Sequence, residues 1–207
     1  LGYGIYRTLH SRAEITGMDL LDIKIPGLSY RVLSLFDTDA VEQSIVEAGP
    51  DVLIHTAAYV NVDGCEQEPE YARRLNTQVT EHLADICGRH GIKMAYISTD
   101  AVFDGADPKL YTEDDFVNPI NVYGRTKLDG ETAVLRYPGN LVFRTNIYGL
   151  NIQKKRSFGE WVYCSLKQGE TLNMFTDIDF SPILVDELAE LLYEACAKGL
   201  DGRFHAC

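Results

Sequence analysis

The chain is poor in tryptophan, with one among 207 residues, and poor in cysteine, with five. Cys65, Cys87, Cys164, Cys196 and Cys207 form no Cys-x-x-Cys pair. A disulfide framework or a thiolate metal site is not expected from that spacing. Buried or incidental thiols in a reducing cytosol are expected instead. No apolar run approaches the ~20 residues of a membrane-spanning helix, and a membrane association is not expected. Positive charge is also scarce: 19 Lys and Arg face 31 Asp and Glu, a net charge of −12. Such a chain lacks the counter-charge for a nucleic-acid backbone. The deficit does not argue against a small anionic ligand in a local pocket. His10, His55, His82, His90 and His205 show no metal-ligand spacing, so no metal is expected, and His55 is read as a core histidine. The acids Glu113, Asp114 and Asp115 are read as a solvated loop with a helix-capping role.

What remains is an ordinary globular composition, 45% hydrophobic and 24% charged. Its length suits one domain, or one domain with an appendage. Strand-like runs at Glu14–Met18, Val32–Leu35, Asp51–Ala58, Lys93–Thr99, Asn140–Thr145 and Arg203–Cys207 alternate with helical patterns. Val52-Leu53-Ile54 and Leu141-Val142-Phe143 are continuously apolar, as in strands covered on both faces. Tyr71, Leu75, Val79, Leu83 and Ile86 recur at helical spacing before Gly88 or Gly91. Leu188, Leu191, Leu192 and Ala195 do so before Gly199. This alternation predicts an α/β fold with a doubly wound parallel sheet. Residues 1–150 are read as the main domain. Residues 151–207 are read as a partial substrate lobe interleaved with the last sheet elements, with Arg156–Gln168 helical and Trp161 in core or lobe packing.

In open α/β sheets, ligands bind at the carboxyl ends of the strands. Thr99 closes the fourth strand run. Tyr123 and Lys127 follow, one helical turn apart and so on one face. An ammonium beside a phenol lowers the phenol's pKa from about 10 towards neutrality. Tyr123 would then donate or accept a proton, and the Thr99 hydroxyl would bond the same substrate oxygen. The three groups suit proton transfer to a carbonyl that is receiving hydride. Tyr-x-x-x-Lys alone also occurs on ordinary surface helices; the strand-end Thr99 and the Asp-rich loop Asp104–Pro119 narrow the reading.

The run Ile97-Ser98-Thr99-Asp100-Ala101-Val102-Phe103-Asp104-Gly105, with Asn118-Pro119 and Tyr123-Gly124-Arg125-Thr126-Lys127-Leu128-Asp129-Gly130-Glu131, resembles the dTDP-4-dehydrorhamnose reductase family of extended short-chain dehydrogenases/reductases. Pro50–Tyr59, Val62-Asp63, Arg144-Thr145, Tyr148-Gly149 and Phe180-Ser181-Pro182 extend the likeness over nearly the whole chain. The resemblance implies a Rossmann-type fold with a small C-terminal substrate lobe, binding NADH or NADPH. It implies reduction of the 4-keto group of a nucleotide-linked deoxysugar, in the cytoplasm. Tyr123 would be the general acid, Lys127 its partner and ribose ligand, and Thr99 the ketone's hydrogen-bond donor. Gly2, Asp19, Ser34, Leu35, Ala57, Ala58 and Tyr59 would touch the cofactor with Tyr123 and Lys127. Asp100, Val102, Val60 and Asn146 would face the sugar, with core packing as the alternative for the two valines. Asn76 falls where related enzymes place a helix Asn near the site; a buried helix polar residue is the alternative. A homodimer is left open.

The chain also departs from that family. Only Gly2 matches the family's opening Gly-x-x-Gly-x-x-Gly turn, and Gly4 is read as a packing glycine. The first strand and the C-terminal substrate elements are expected to lie outside this sequence. Ser34 stands where the family has an Asp near adenine. Asp19 at a strand end favours a free ribose diol, hence a lean towards NADH; a strand-end turn is the alternative. The tryptophan common between Arg-Thr and Tyr-Gly is missing from Arg144–Gly149. Two other readings stay open. One is an epimerase or dehydratase of the same superfamily, although Ala101 replaces the Glu that dehydratases carry. The other is a non-catalytic cofactor-binding regulator resembling the β subunit of methionine adenosyltransferase.

Overall fold

The computed structural model describes residues 1–107, 109–151 and 157–207. Helix α1 (Gly2–Leu9) precedes β1 (Thr16–Asp19) and β2 (Ser29–Val32). Then come α2 (Thr38–Ala48), β3 (Val52–His55), α3 (Val62–Gln67) and α4 (Pro69–Arg73). A π-helical turn (Arg74–Gln78) leads into α5 (Val79–His90) and β4 (Lys93–Ile97). A 3-10 turn (Asp100–Val102), α6 (Val122–Val134), β5 (Leu141–Tyr148) and α7 (Phe158–Lys167) follow. The last elements are β6 (Pro182–Leu184), α8 (Val185–Ala197) and β7 (Gly202–Ala206).

Every ladder is parallel. β1 pairs β2; β3, β4 and β5 form the main sheet. β5 is long enough to carry two partners, β7 along Leu141–Thr145 and β6 along Asn146–Tyr148. The two sheets share no ladder among the described residues. The alternation along β4 and β5 shows why they read as unbroken apolar runs. Ala95, Ile97, Leu141 and Phe143 pack with Ile5, Leu9, Leu188 and Leu192 of α1 and α8. Met94, Tyr96 and Val142 pack on the other face with Val41, Ile45, Leu83, Ile86 and Val134 of α2, α5 and α6. Both faces are therefore buried, as a parallel sheet requires. Gly4 sits where α1 crosses α8: a Cβ there would lie 2.6 Å from Val185 Cγ2.

The ends of the expected strands move for local reasons. The strand expected over Val32–Leu35 runs earlier, as β2. Leu33 N–H closes the ladder on Asp19 O, and the Ser34 carbonyl then takes Asp37 N–H in a turn. Asp37 caps α2 by accepting from Ala40 N–H. The strand expected over Asp51–Ala58 stops at His55, and further on the Tyr59 amide bonds the Asn76 side chain. The helix expected through Tyr71–Ile86 is continuous but carries the π-turn, and it ends at Gly91, φ 67°. β6 was not anticipated. From Pro182 onward the chain rejoins the main sheet and its core through β6, α8 and β7. Of the helix expected over Arg156–Gln168, Arg156 lies outside the described residues. Trp161 is 39% exposed and tilts against Phe158, which also meets Phe180, so it packs within the lobe segment and not in the core. No helix among the described residues is long and apolar enough to cross a membrane.

Candidate active site

Thr99 follows β4 at its carboxyl edge and caps the 3-10 turn. Its Oγ1 accepts from Ala101 N–H at 3.1 Å and donates to Asp100 Oδ1 at 3.1 Å. Asn121 opens α6 by accepting from Gly124 N–H at 2.7 Å. Gly124 then packs directly on the turn, and a Cβ there would fall 2.2 Å from the Ala101 carbonyl oxygen. Only glycine allows that approach, and it sets the first turn of α6, with Tyr123, beside Thr99. Burial pushes the phenol up to about 12, against a smaller opposing effect of the nearby Thr99 hydroxyl. This direction is opposite to the depression the Lys127 spacing suggests. At neutral pH the phenol therefore holds its proton, the form a general acid needs.

Lys127 is 3% exposed. Its Nζ donates to the Ile97 carbonyl at 2.6 Å and lies 4.0 Å from the Tyr96 ring centre. Burial brings the amine down to about 7, opposed by Glu131 one turn further along α6. A second glycine, Gly130, seats the helix there: a Cβ would meet Tyr96 Oη at 2.5 Å. Asn76, 1% exposed on the π-turn, fixes the neighbouring loop. Its Oδ1 accepts from Tyr59 N–H at 2.7 Å, and its Nδ2 donates to Tyr59 O and to Thr126 Oγ1, both at 3.1 Å. It is a buried helix polar residue, and it holds the strand-end loop against α6 beside Lys127.

Thr99, Tyr123 and Lys127 are brought together. Asp100 and Asn146 join them: Asn146 Nδ2 donates to Asp100 Oδ2 at 3.1 Å. Val60 is exposed at the β3–α3 turn. Val102 requires a correction. It is fully buried, with its carbonyl accepting from Asn118 N–H, so its side chain is core and does not face a sugar.

The remaining cofactor candidates lie along other strand and helix ends. The first turn of α1, at Gly2, carries no acid and no side-chain cap. Asp19 ends β1, where Oδ1 accepts from Leu21 N–H at 3.0 Å, the strand-end turn weighed above. Ser34 Oγ accepts from Phe36 N–H at 3.2 Å. Leu35 lines a cavity of about 140 Å³ with Phe36, Thr38, Arg74, Gln78 and Val79. Ala57, Ala58 and Tyr59 leave β3, with Ala57 exposed.

Other polar residues have structural places. His55 is buried against Thr80 Oγ1 at 3.1 Å, and desolvation drives its ring down to about 3. Glu113 accepts from His205 N–H, and Asp115 from Thr112 N–H and Lys109. These acids tie a loop to β7 and to itself; they cap no helix. No group of metal-ligating side chains is present among the described residues. Sequence reasoning assigned no role to Glu131. It is fully buried, accepts from Ser98 Oγ at 2.6 Å, and pairs with Arg144 and Arg203. The signal was its place in register with Tyr123 and Lys127 on α6; its partners are distant in sequence.

The chain matches the family model "RmlD substrate binding domain" over residues 8–207. It belongs to that family. It is 36% identical over 177 residues to the probable low-salt glycan biosynthesis reductase Agl14 of Haloferax volcanii, covering 84% of this chain and 59% of that protein. It is 33% identical over 203 residues to dTDP-4-dehydrorhamnose reductase of Salmonella typhimurium, covering 97% and 65%. It is also 40% identical over 126 residues to methionine adenosyltransferase 2 subunit beta of Xenopus laevis, covering 60% and 37%. The chain thus spans less than two thirds of these relatives. Among solved structures it is similar to a hypothetical dTDP-4-dehydrorhamnose reductase from Sulfolobus tokodaii, with a TM-score of 0.87, 34% identity and coverage of 99% and 71%. A dTDP-4-dehydrorhamnose reductase from Bacillus anthracis in complex with NADP gives a TM-score of 0.79 at 26% identity, covering 92% and 73%. The Rossmann-type α/β fold of this family member is thereby shown.

Proposed function

We propose that this chain is the cofactor-binding part of an NAD(P)H-dependent reductase acting on the 4-keto group of a nucleotide-linked deoxysugar. The observation that carries the reading is the placement of Thr99 at the end of β4 with Tyr123 and Lys127 on the α6 face packed against it, Lys127 being anchored on the Ile97 carbonyl. The residues fit a dinucleotide. The uncapped, acid-free start of α1 suits a pyrophosphate, since helix N–H groups favour anions. Asp19 suits a ribose diol, and Ser34, Leu35, Ala57, Ala58 and Tyr59 border the same strand edges. The bound nicotinamide would supply hydride to the sugar carbonyl carbon. Tyr123 Oη, protonated at neutral pH, would donate to the carbonyl oxygen, Thr99 Oγ1 would steady that oxygen, and Lys127 would hold the cofactor ribose. Asp100, Asn146 and Val60 border the sugar.

The test uses cofactor deuterated at nicotinamide C4 and dTDP-4-keto-6-deoxy-L-mannose with the full-length protein. Deuterium at C4 of the product sugar supports the reading; product without deuterium at C4 overturns it. A regulatory role is the second reading, favoured by the similarity to methionine adenosyltransferase 2 subunit beta. It predicts cofactor binding without turnover, and co-purification with a larger enzyme.

A further inference from the structure

Glu131 is the fully buried carboxylate of the described residues, and it stands behind the proposed site. Three strands converge on it. Ser98, adjacent to Thr99 at the end of β4, donates to Oε1 at 2.6 Å. Arg144 on β5 donates from Nε to Oε1 at 2.9 Å and from its terminal nitrogen to Oε2 at 2.8 Å. Arg203 on β7 places Nε 3.2 Å from Oε2. The carboxylate also occupies the same face of α6 as Tyr123 and Lys127, at four-residue intervals. A structural tie alone would need one guanidinium. Here two cations share one carboxylate within a turn of a buried amine.

We propose that Glu131 is a positioning residue: it locks α6 to the Ser98–Thr99 strand end and, through charge divided between Arg144 and Arg203, sets how much of Lys127 stands as ammonium. Lys127 has few other charged neighbours. Tyr123 and exposed Asp129 share its helix, Tyr96 lies beneath it on β4, and His55 on β3 is neutral. Arg144 and Arg203 reach it by way of Glu131. Glu131 pulls the amine up against desolvation, and each arginine that neutralises Glu131 weakens that pull. For turnover, the proposal rests on the reductase reading. For the titration of Lys127, it does not.

The experiment follows the ¹³Cε resonance of Lys127 against pH in the full-length protein, assigned with Lys127→Arg. Glu131→Gln is expected to lower the titration midpoint by about one pH unit or more, the usual effect of removing a close opposite charge. Arg203→Gln is expected to raise the midpoint. Arg203 is partly exposed, so this variant carries the test if Glu131→Gln does not fold. The pH optimum of keto-sugar reduction should move in the same two directions. An unmoved midpoint in a folded variant, or a shift of the same sign in both, overturns the proposal. Opposite shifts without any turnover support it and count only against the reductase reading.

Discussion

Gly124 lies against Ala101 so closely that a Cβ would stand 2.2 Å from the Ala101 carbonyl oxygen. That single approach sets the first turn of α6, with Tyr123, on the turn after β4 that Thr99 caps. Gly124→Ala must therefore push the helix start away from the turn. Overpacking of this kind costs about 1–3 kcal/mol. Urea unfolding should show that loss, and turnover should fall further than stability alone explains. A variant with full stability and full turnover would remove the contact from the account.

Tyr123→Phe should cut turnover by about 10²–10⁴, the range for loss of a general acid. Cofactor affinity, read by NADH or NADPH fluorescence, should change little, because Lys127 remains anchored on Ile97 O. Unchanged turnover would take Tyr123 out of the mechanism.

Asp19→Ala should narrow the ratio between NADH and NADPH affinities. The carboxylate at the end of β1 repels a 2′-phosphate and accepts from a ribose diol. Part of Asp19 is already engaged with Leu21 N–H, so a small loss of stability accompanies the change. A constant cofactor ratio would leave Asp19 as a turn residue only.

His55 makes stability depend on pH with a definite sign. Its ring is held neutral to about 3 in the folded chain, against an ordinary 6.5 when unfolded. Between those values the unfolded chain binds a proton that the folded one refuses. The contribution is complete above 6.5 and is lost progressively as pH falls to about 3. His55→Gln keeps a donor toward Thr80 and removes this titration. Its stability should fall less steeply than wild type between pH 6.5 and 4, measured by denaturant unfolding; parallel slopes would contradict the assignment.

The parts of the fold legible in the sequence are those whose burial is local in pattern. β4 and β5 were readable because each alternates between two buried faces. α5 was readable from its apolar face and Gly91. β6 was not, because three residues carry little pattern and their pairing follows from the extension of β5 to Tyr148. The spacing of Tyr123 and Lys127 correctly put both on one face. It did not show where the ammonium points, which is to Ile97 O, nor that burial would raise the phenol. Glu131 stood in plain view in the α6 motif. Its meaning depends on Arg144 and Arg203, which reach it only through β5 and β7. The resemblance assigns Val102 to the sugar with core packing as the alternative, and tertiary packing buries it.

The most direct measurement follows NADH and NADPH absorbance with the full-length protein and dTDP-4-keto-6-deoxy-L-mannose generated in situ. The account predicts oxidation of cofactor that depends on the sugar and collapses in Tyr123→Phe. Tight cofactor binding without sugar-dependent oxidation would contradict it.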